Sequence, residues 1–178
     1  MNISEVLSVV SAGSGVITLG LAIYALNSWK MEFRSKEVYQ AYSKAEIALF
    51  NYHKSVKKLS EYYYRNTQIQ LGKGACNEPE SEEVLARSIN NRHAELTFQF
   101  DWLMHLCENQ ATDELNSLVN AYFHEATKAI EFSSFNGFLE HNQNFEQYSE
   151  ALKSQLDALD ILRKEATELI RLSRLAQT

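Results

Sequence analysis

The sequence predicts an all-α chain, with one N-terminal transmembrane helix continuing into a cytoplasmic antiparallel four-helix bundle of coiled-coil character. Three observations predict it. One proline and six glycines in 178 residues leave few places where a helix must break. No alternating Val/Ile/Thr-rich run bounded by Asn-Gly or Asp-Gly turns marks a strand. Twenty-four residues without a charge, "VLSVVSAGSGVITLGLAIYALNSW", separate Glu5 from Lys30.

That uncharged stretch is the first element. At about 1.5 Å per residue it covers a hydrocarbon core of roughly 30 Å. A cleaved signal peptide would want a basic residue ahead of the run and a small-x-small site after it, and the sequence has neither. Lys30, Arg34 and Lys36 crowd its C-terminal edge, while Glu5 stands alone before it. The positive-inside rule therefore leaves the short N-terminus outside and the rest in the cytoplasm, at a bacterial inner membrane. Trp29, Lys30, Arg34 and Lys36 are the expected membrane-surface anchors. Residues 1–29 form the anchor and residues 30–178 the bundle.

Small residues within the span recur in steps of four and three: Ser4, Ser8, Ser11, Gly15, Thr18, Ala22, Ala25. Such spacing keeps them on one helical face. Lipid gains little from that face, whereas a second helix can approach it closely and accept hydroxyl hydrogen bonds across it. It is the expected packing face for another copy or a second membrane protein.

The first helix should run on past the membrane edge, because no glycine or proline occurs between Gly20 and Gly72. Val38, Tyr42, Ala45, Leu49, Tyr52, Val56, Leu59 and Tyr63 again alternate four and three, a coiled-coil seam. The helix should end near "LGKGACNEPES". A second helix should start around Pro79–Ser81 with Glu80, Glu82 and Glu83 in its first turn. Its inward stripe is Leu85, Ile89, Leu96, Phe100, Leu103, Cys107. Thr112 is the expected N-cap of a third helix carrying Leu115, Leu118, Val119, Tyr122, Ala126 and Ile130 inward. "SSFNGFLEHNQN" reads as a turn around Asn136-Gly137. Asn144 and Gln147 resemble a capping box for a last helix that buries Tyr148, Leu152, Leu156, Leu159, Leu162, Ala166 and Leu169.

The net charge of −6 is unevenly spread. Lys30 to Lys73 holds nine Lys/Arg against four Asp/Glu, and from Gly74 onward eight stand against eighteen. An acidic total argues against nucleic acid as a partner, and the basic first helix is expected to pack on acidic neighbours. Cys76 and Cys107 have no zinc spacing and read as a loop thiol and a core thiol. Asp101, His105 and Glu108 share a helical face, which is read as a surface hydrogen-bonded cluster, and His93 as a partly buried bundle residue. "KKLSEYYYR" interleaves basic and aromatic side chains; its exposed tyrosines, Tyr62 and Tyr64, are candidates for docking a partner.

With no phosphate loop, no assignable Ser-His-Asp set and no activator beside either cysteine, no enzyme activity, cofactor, metal or small-molecule substrate is expected. "RSINNRH" resembles the arginine–histidine pair of the HEPN ribonucleases, which are also all-α. Arg87 and His93 carry that resemblance, which implies RNA cleavage; Ser88 stands where that family tends to have Asn, Asp or His. The architecture itself points to a membrane-anchored interaction, scaffold or sensor protein, self-associating or paired in the bilayer through its small-residue face. A membrane-active effector that oligomerises to permeabilise the bilayer is the alternative.

Overall fold

The computed structural model describes the backbone of residues 3–74, 81–107, 110–140 and 144–175, with side chains at 18, 20–74, 81–107, 113–140 and 144–175. Over these residues the chain is helical and has no strand: α1 (Ile3–Gln70), α2 (Glu82–Leu106), α3 (Gln110–Ser133), the short α4 (Phe135–Glu140) and α5 (Phe145–Leu175). Four long helices run antiparallel in chain order. Tyr63 near the end of α1 bonds Glu82 at the start of α2, and Tyr64 meets Ser149 at the start of α5. Arg174, at the far end of α5, returns to Glu46.

The α1 seam is buried from Val38 to Leu59, with Tyr63 half-buried at its end. Because α1 touches α2, α3 and α5, its buried face is wider than a single stripe and also takes in Ala41, Ala48, His53 and Ser60. The six predicted stripe residues of α2 are all buried. Those of α3 and α5 are buried or half-buried, joined by Ile170 and Ser173 near the end of α5. Closely packed aliphatic and aromatic side chains of this kind dominate the stability of a helical domain.

Helix ends follow local chemistry. At the C-terminus of α1, Gly72 has φ of 69°, a left-handed value that favours glycine. The Gly72 N–H bonds the Ile69 carbonyl and the Lys73 N–H the Gln68 carbonyl, a Schellman closure. Ser81 precedes α2, and Asn144 Oδ1 accepts the Gln147 N–H at 2.9 Å to cap α5.

Two expected boundaries are corrected. Thr112 is not the N-cap of α3, since the helix already starts at Gln110, where Gln110 and Ala111 are good helix formers. Asn136-Gly137 is not a turn but lies within α4. The Ser134 hydroxyl accepts the Gly137 N–H at 3.1 Å and donates to the Glu131 carbonyl at 2.6 Å, so one side chain links the end of α3 to the start of α4. Gly137 is required by contact: a Cβ there would meet the Glu131 and Phe132 carbonyl oxygens at 2.6 Å.

N-terminal to the bundle, residues 20–34 of α1 are exposed. Leu21, Ile23, Tyr24, Leu26, Trp29, Met31 and Phe33 are all exposed. Among the described residues no helix is long and apolar enough to cross a membrane. Most of the expected span, residues 6–17 and 19, lies outside the described side chains, as do Ser4, Ser8, Ser11 and Gly15 of the small-residue face. Thr18, Ala22 and Ala25 of that face are exposed.

Candidate functional site

Halfway along the bundle, where α1, α3 and α5 meet, three polar side chains interrupt the apolar core. His53 and Tyr122 are buried, and the Asp160 side chain is 28% exposed. His53 Nδ1 lies 3.0 Å from the Tyr122 hydroxyl, and Nε2 lies 3.4 Å from Asp160 Oδ1. Asp160 is itself held by Arg163, through Nε at 3.1 Å and Nη2 at 3.0 Å, and by Lys164 at 2.8 Å. The register that pairs Tyr64 with Ser149 also brings His53 to Asp160, eleven residues back along α1 and eleven on along α5.

The electrostatics decide how this chain is protonated. Burial, reinforced by the Arg163 and Lys57 charges, pushes the His53 pKa down to about 4 against the opposing pull of Asp160. Hydrogen bonding from Lys164 and Arg163, against burial, holds Asp160 down at about 2. Burial raises the Tyr122 phenol far above its ordinary value. Near neutral pH, therefore, His53 is uncharged, Asp160 ionised and Tyr122 protonated. With His53 uncharged and Nε2 facing the Asp160 carboxylate, Nδ1 accepts the Tyr122 O–H. Tyr122 is fully buried, and the triad ties α1, α3 and α5 together within the core.

Around it lies an aromatic cluster. The Tyr52 ring is edge-on to Tyr122 and Phe123 at centroid distances of 6.1 and 5.4 Å, and His93 closes on Phe123 at 4.7 Å. His93 is exposed rather than partly buried, its ring lying across the cluster's rim. Arg87, the other half of the HEPN-like pair, sits on the surface and bonds Glu83 at 3.1 Å.

The triad opens outward into a groove of about 440 Å³ between α1 and α5, lined by Phe50, His53, Lys54, Lys57, Lys58, Glu61, Asp160 and Arg163. Lys57 and Glu61 also line a second groove, of about 280 Å³, which continues along α1 and α5 to Tyr64 and Ser149. Basic α1 packs on the acidic helices α2, α3 and α5 as expected, though not through every lysine. Lys54 and Lys57 make no ion pair with a described residue, whereas Glu46 of α1 pairs in the opposite sense with Arg174 at 3.3 Å.

The remaining predicted residues are placed as follows. Trp29, Lys30, Arg34 and Lys36 are exposed; Trp29 packs on Phe33 and Lys36 pairs with Glu32 at 2.7 Å. Tyr62 is half-buried beside Tyr63. Tyr64 is half-buried between α1 and α5, stacked on Phe145 and Tyr148, with its hydroxyl 3.0 Å from Ser149. Asp101 and His105 are exposed on α2, His105 beside Trp102; Glu108 lies outside the described residues, as does Cys76. Cys107 is the core thiol expected, its pKa raised by burial. Among the described residues no cluster could hold a metal ion.

Sequence reasoning missed His53 and Asp160. Each directly follows a core residue, Tyr52 and Leu159, and that adjacency was the available signal. Comparison with known proteins finds no matching family, no similar curated protein and no similar solved structure.

Proposed function

We propose that this chain is a single-span membrane-anchored interaction protein, with a short N-terminus outside and a helical bundle in the cytoplasm that receives a partner or signal. The supporting observation is the uncovered part of α1. At 100° per residue, Leu21, Ile23, Tyr24, Leu26 and Trp29 point in all directions around the helix, and all are at least half exposed. A helix that is apolar all round belongs in a protein core or in lipid, and no described helix covers this one. Lipid is the environment that fits, and the uncharged run back to Glu5 extends the same character.

The small-residue face from Ser4 to Ala25 then supplies the contact with a second span, and Lys30, Arg34 and Lys36 sit at the headgroups. The bundle's other basic residues are too distant for that role. Lys57 is twenty-seven residues beyond Lys30, roughly 40 Å along a helix, several times a Debye length of about 8 Å.

The test is fractionation of cells expressing the full chain, combined with cysteines placed one at a time along the Ser4–Ala25 face. The expected result is a chain that stays with membranes through alkaline extraction and crosslinks from that face alone. A chain recovered in the soluble fraction refutes the anchor. Dye leakage abolished by changing Ser8, Ser11, Gly15 and Thr18 to leucine would replace the anchor reading with that of a permeabilising effector.

A further inference from the structure

Lys54 and Lys57 project into the α1–α5 groove without an ion-pair partner among the described residues, while the groove's carboxylate, Asp160, is already neutralised by Arg163 and Lys164. Glu61 is the remaining negative group on the lining, so the groove carries an excess of positive charge. Phe50, at the same lining, is 56% exposed. We propose that this groove binds a mononucleotide, with the phosphate on Lys54, Lys57 and Arg163 and the base against Phe50.

The chemistry fits at each contact. Two lysines one turn apart on α1, facing an arginine on α5, present ammonium and guanidinium donors from two directions, as a tetrahedral phosphate requires. Arg163 is positioned in advance by its two bonds to Asp160, so binding need not order it. An exposed phenyl ring offers a base a stacking surface worth about 1–3 kcal/mol. The groove volume of about 440 Å³ lies within the usual range for small-molecule sites. His53 registers the same positive field, since Arg163 and Lys57 both help to keep it neutral.

The experiment is calorimetric titration of the full chain in detergent micelles with AMP, with inorganic phosphate and with adenosine. AMP is expected to bind at one site, phosphate more weakly and adenosine not measurably. The Lys54→Gln/Lys57→Gln variant keeps good helix formers at both positions and is expected to lose AMP affinity about ten-fold or more while melting as the parent does. Phe50→Ala is expected to lower AMP affinity and leave phosphate unchanged. AMP binding should also raise the His53 pKa, read from its ring proton shifts, by offsetting the neighbouring cations. Absence of AMP binding at millimolar concentration overturns the proposal. So does AMP binding untouched by the lysine changes, or phosphate binding as tightly as AMP.

Discussion

Acidification should destabilise this bundle through a single buried imidazole, and the size of the effect can be worked out. In the unfolded chain His53 titrates at an ordinary 6.5; in the fold it titrates at about 4. Between these values the unfolded state binds a proton that the folded state refuses, so stability is complete above the unfolded pKa and is lost as pH falls towards the folded one. Each pKa unit of separation is worth about 1.4 kcal/mol, giving a total of about 3 kcal/mol, of which about 2 kcal/mol is lost between roughly pH 7 and pH 4.5. The burial of His53, 6% exposed, justifies using the shift at nearly full weight. Asp160 acts in a lower window: its depressed pKa of about 2 adds stability that is lost only as pH falls below the ordinary carboxylate value of 3.8. The two groups therefore separate on the pH axis. The assay is urea unfolding of the full chain in detergent, followed by helical circular dichroism across this range, for the parent and His53→Gln. Glutamine can still accept from Tyr122 but does not titrate. The parent curve should fall towards acid by about 2 kcal/mol more than the variant's. Parallel curves would refute the argument and show that water or a rearranged Asp160 accommodates an imidazolium at this position.

Two further outcomes test the local chemistry. Gly137→Ala should destabilise by about 1–3 kcal/mol, because the new methyl collides with backbone oxygens at 2.6 Å that cannot swing aside as a side chain would; thermal melting of the full chain measures it. Asn144→Ala should cost about 1 kcal/mol by stranding the Gln147 N–H, with Asn144→Ser recovering most of the loss in the same assay.

Much of the helical framework is legible in the sequence because helices are local objects. The four-three spacing from Val38 to Tyr63 marks a buried seam directly, and Gly72 and Asn144 mark helix ends by chemistry that acts within a few residues. What escaped depends on partners distant in the chain. Asn136-Gly137 has the local signature of a turn, yet the glycine answers to α3 carbonyls, and Ser134 caps a helix in its place. Tyr64 has the signature of an exposed docking residue, yet α5 brings Phe145, Tyr148 and Ser149 against it. The four-three spacing of α1 marks one stripe, but a helix with three neighbours buries a broader face. His53 is on that extra width, which is why its partners Tyr122 and Asp160 could be found only in three dimensions.

The placement of charge links the site to the rest of the molecule. If the basic first helix were held to the acidic helices by ion pairs, its lysines would be consumed in folding. Instead, among the described residues a long-range ion pair of α1 uses its own glutamate, Glu46, with Arg174, and exposed pairs such as Lys36–Glu32, Arg87–Glu83, Arg92–Glu95 and Lys128–Glu125 join residues three or four apart on one helix. Such exposed pairs contribute little, about 0–1 kcal/mol each, and do not decide how helices assemble. Assembly follows from apolar burial along α1 and from the His53 triad, which ties α1 to α3 and α5. Lys54 and Lys57 thus take no part in ion pairs between helices among the described residues, and they stand beside Arg163 on the groove. Where Arg163 and Lys164 neutralise the triad's carboxylate and two lysines face an open groove, the proposed nucleotide phosphate would complete the charge balance.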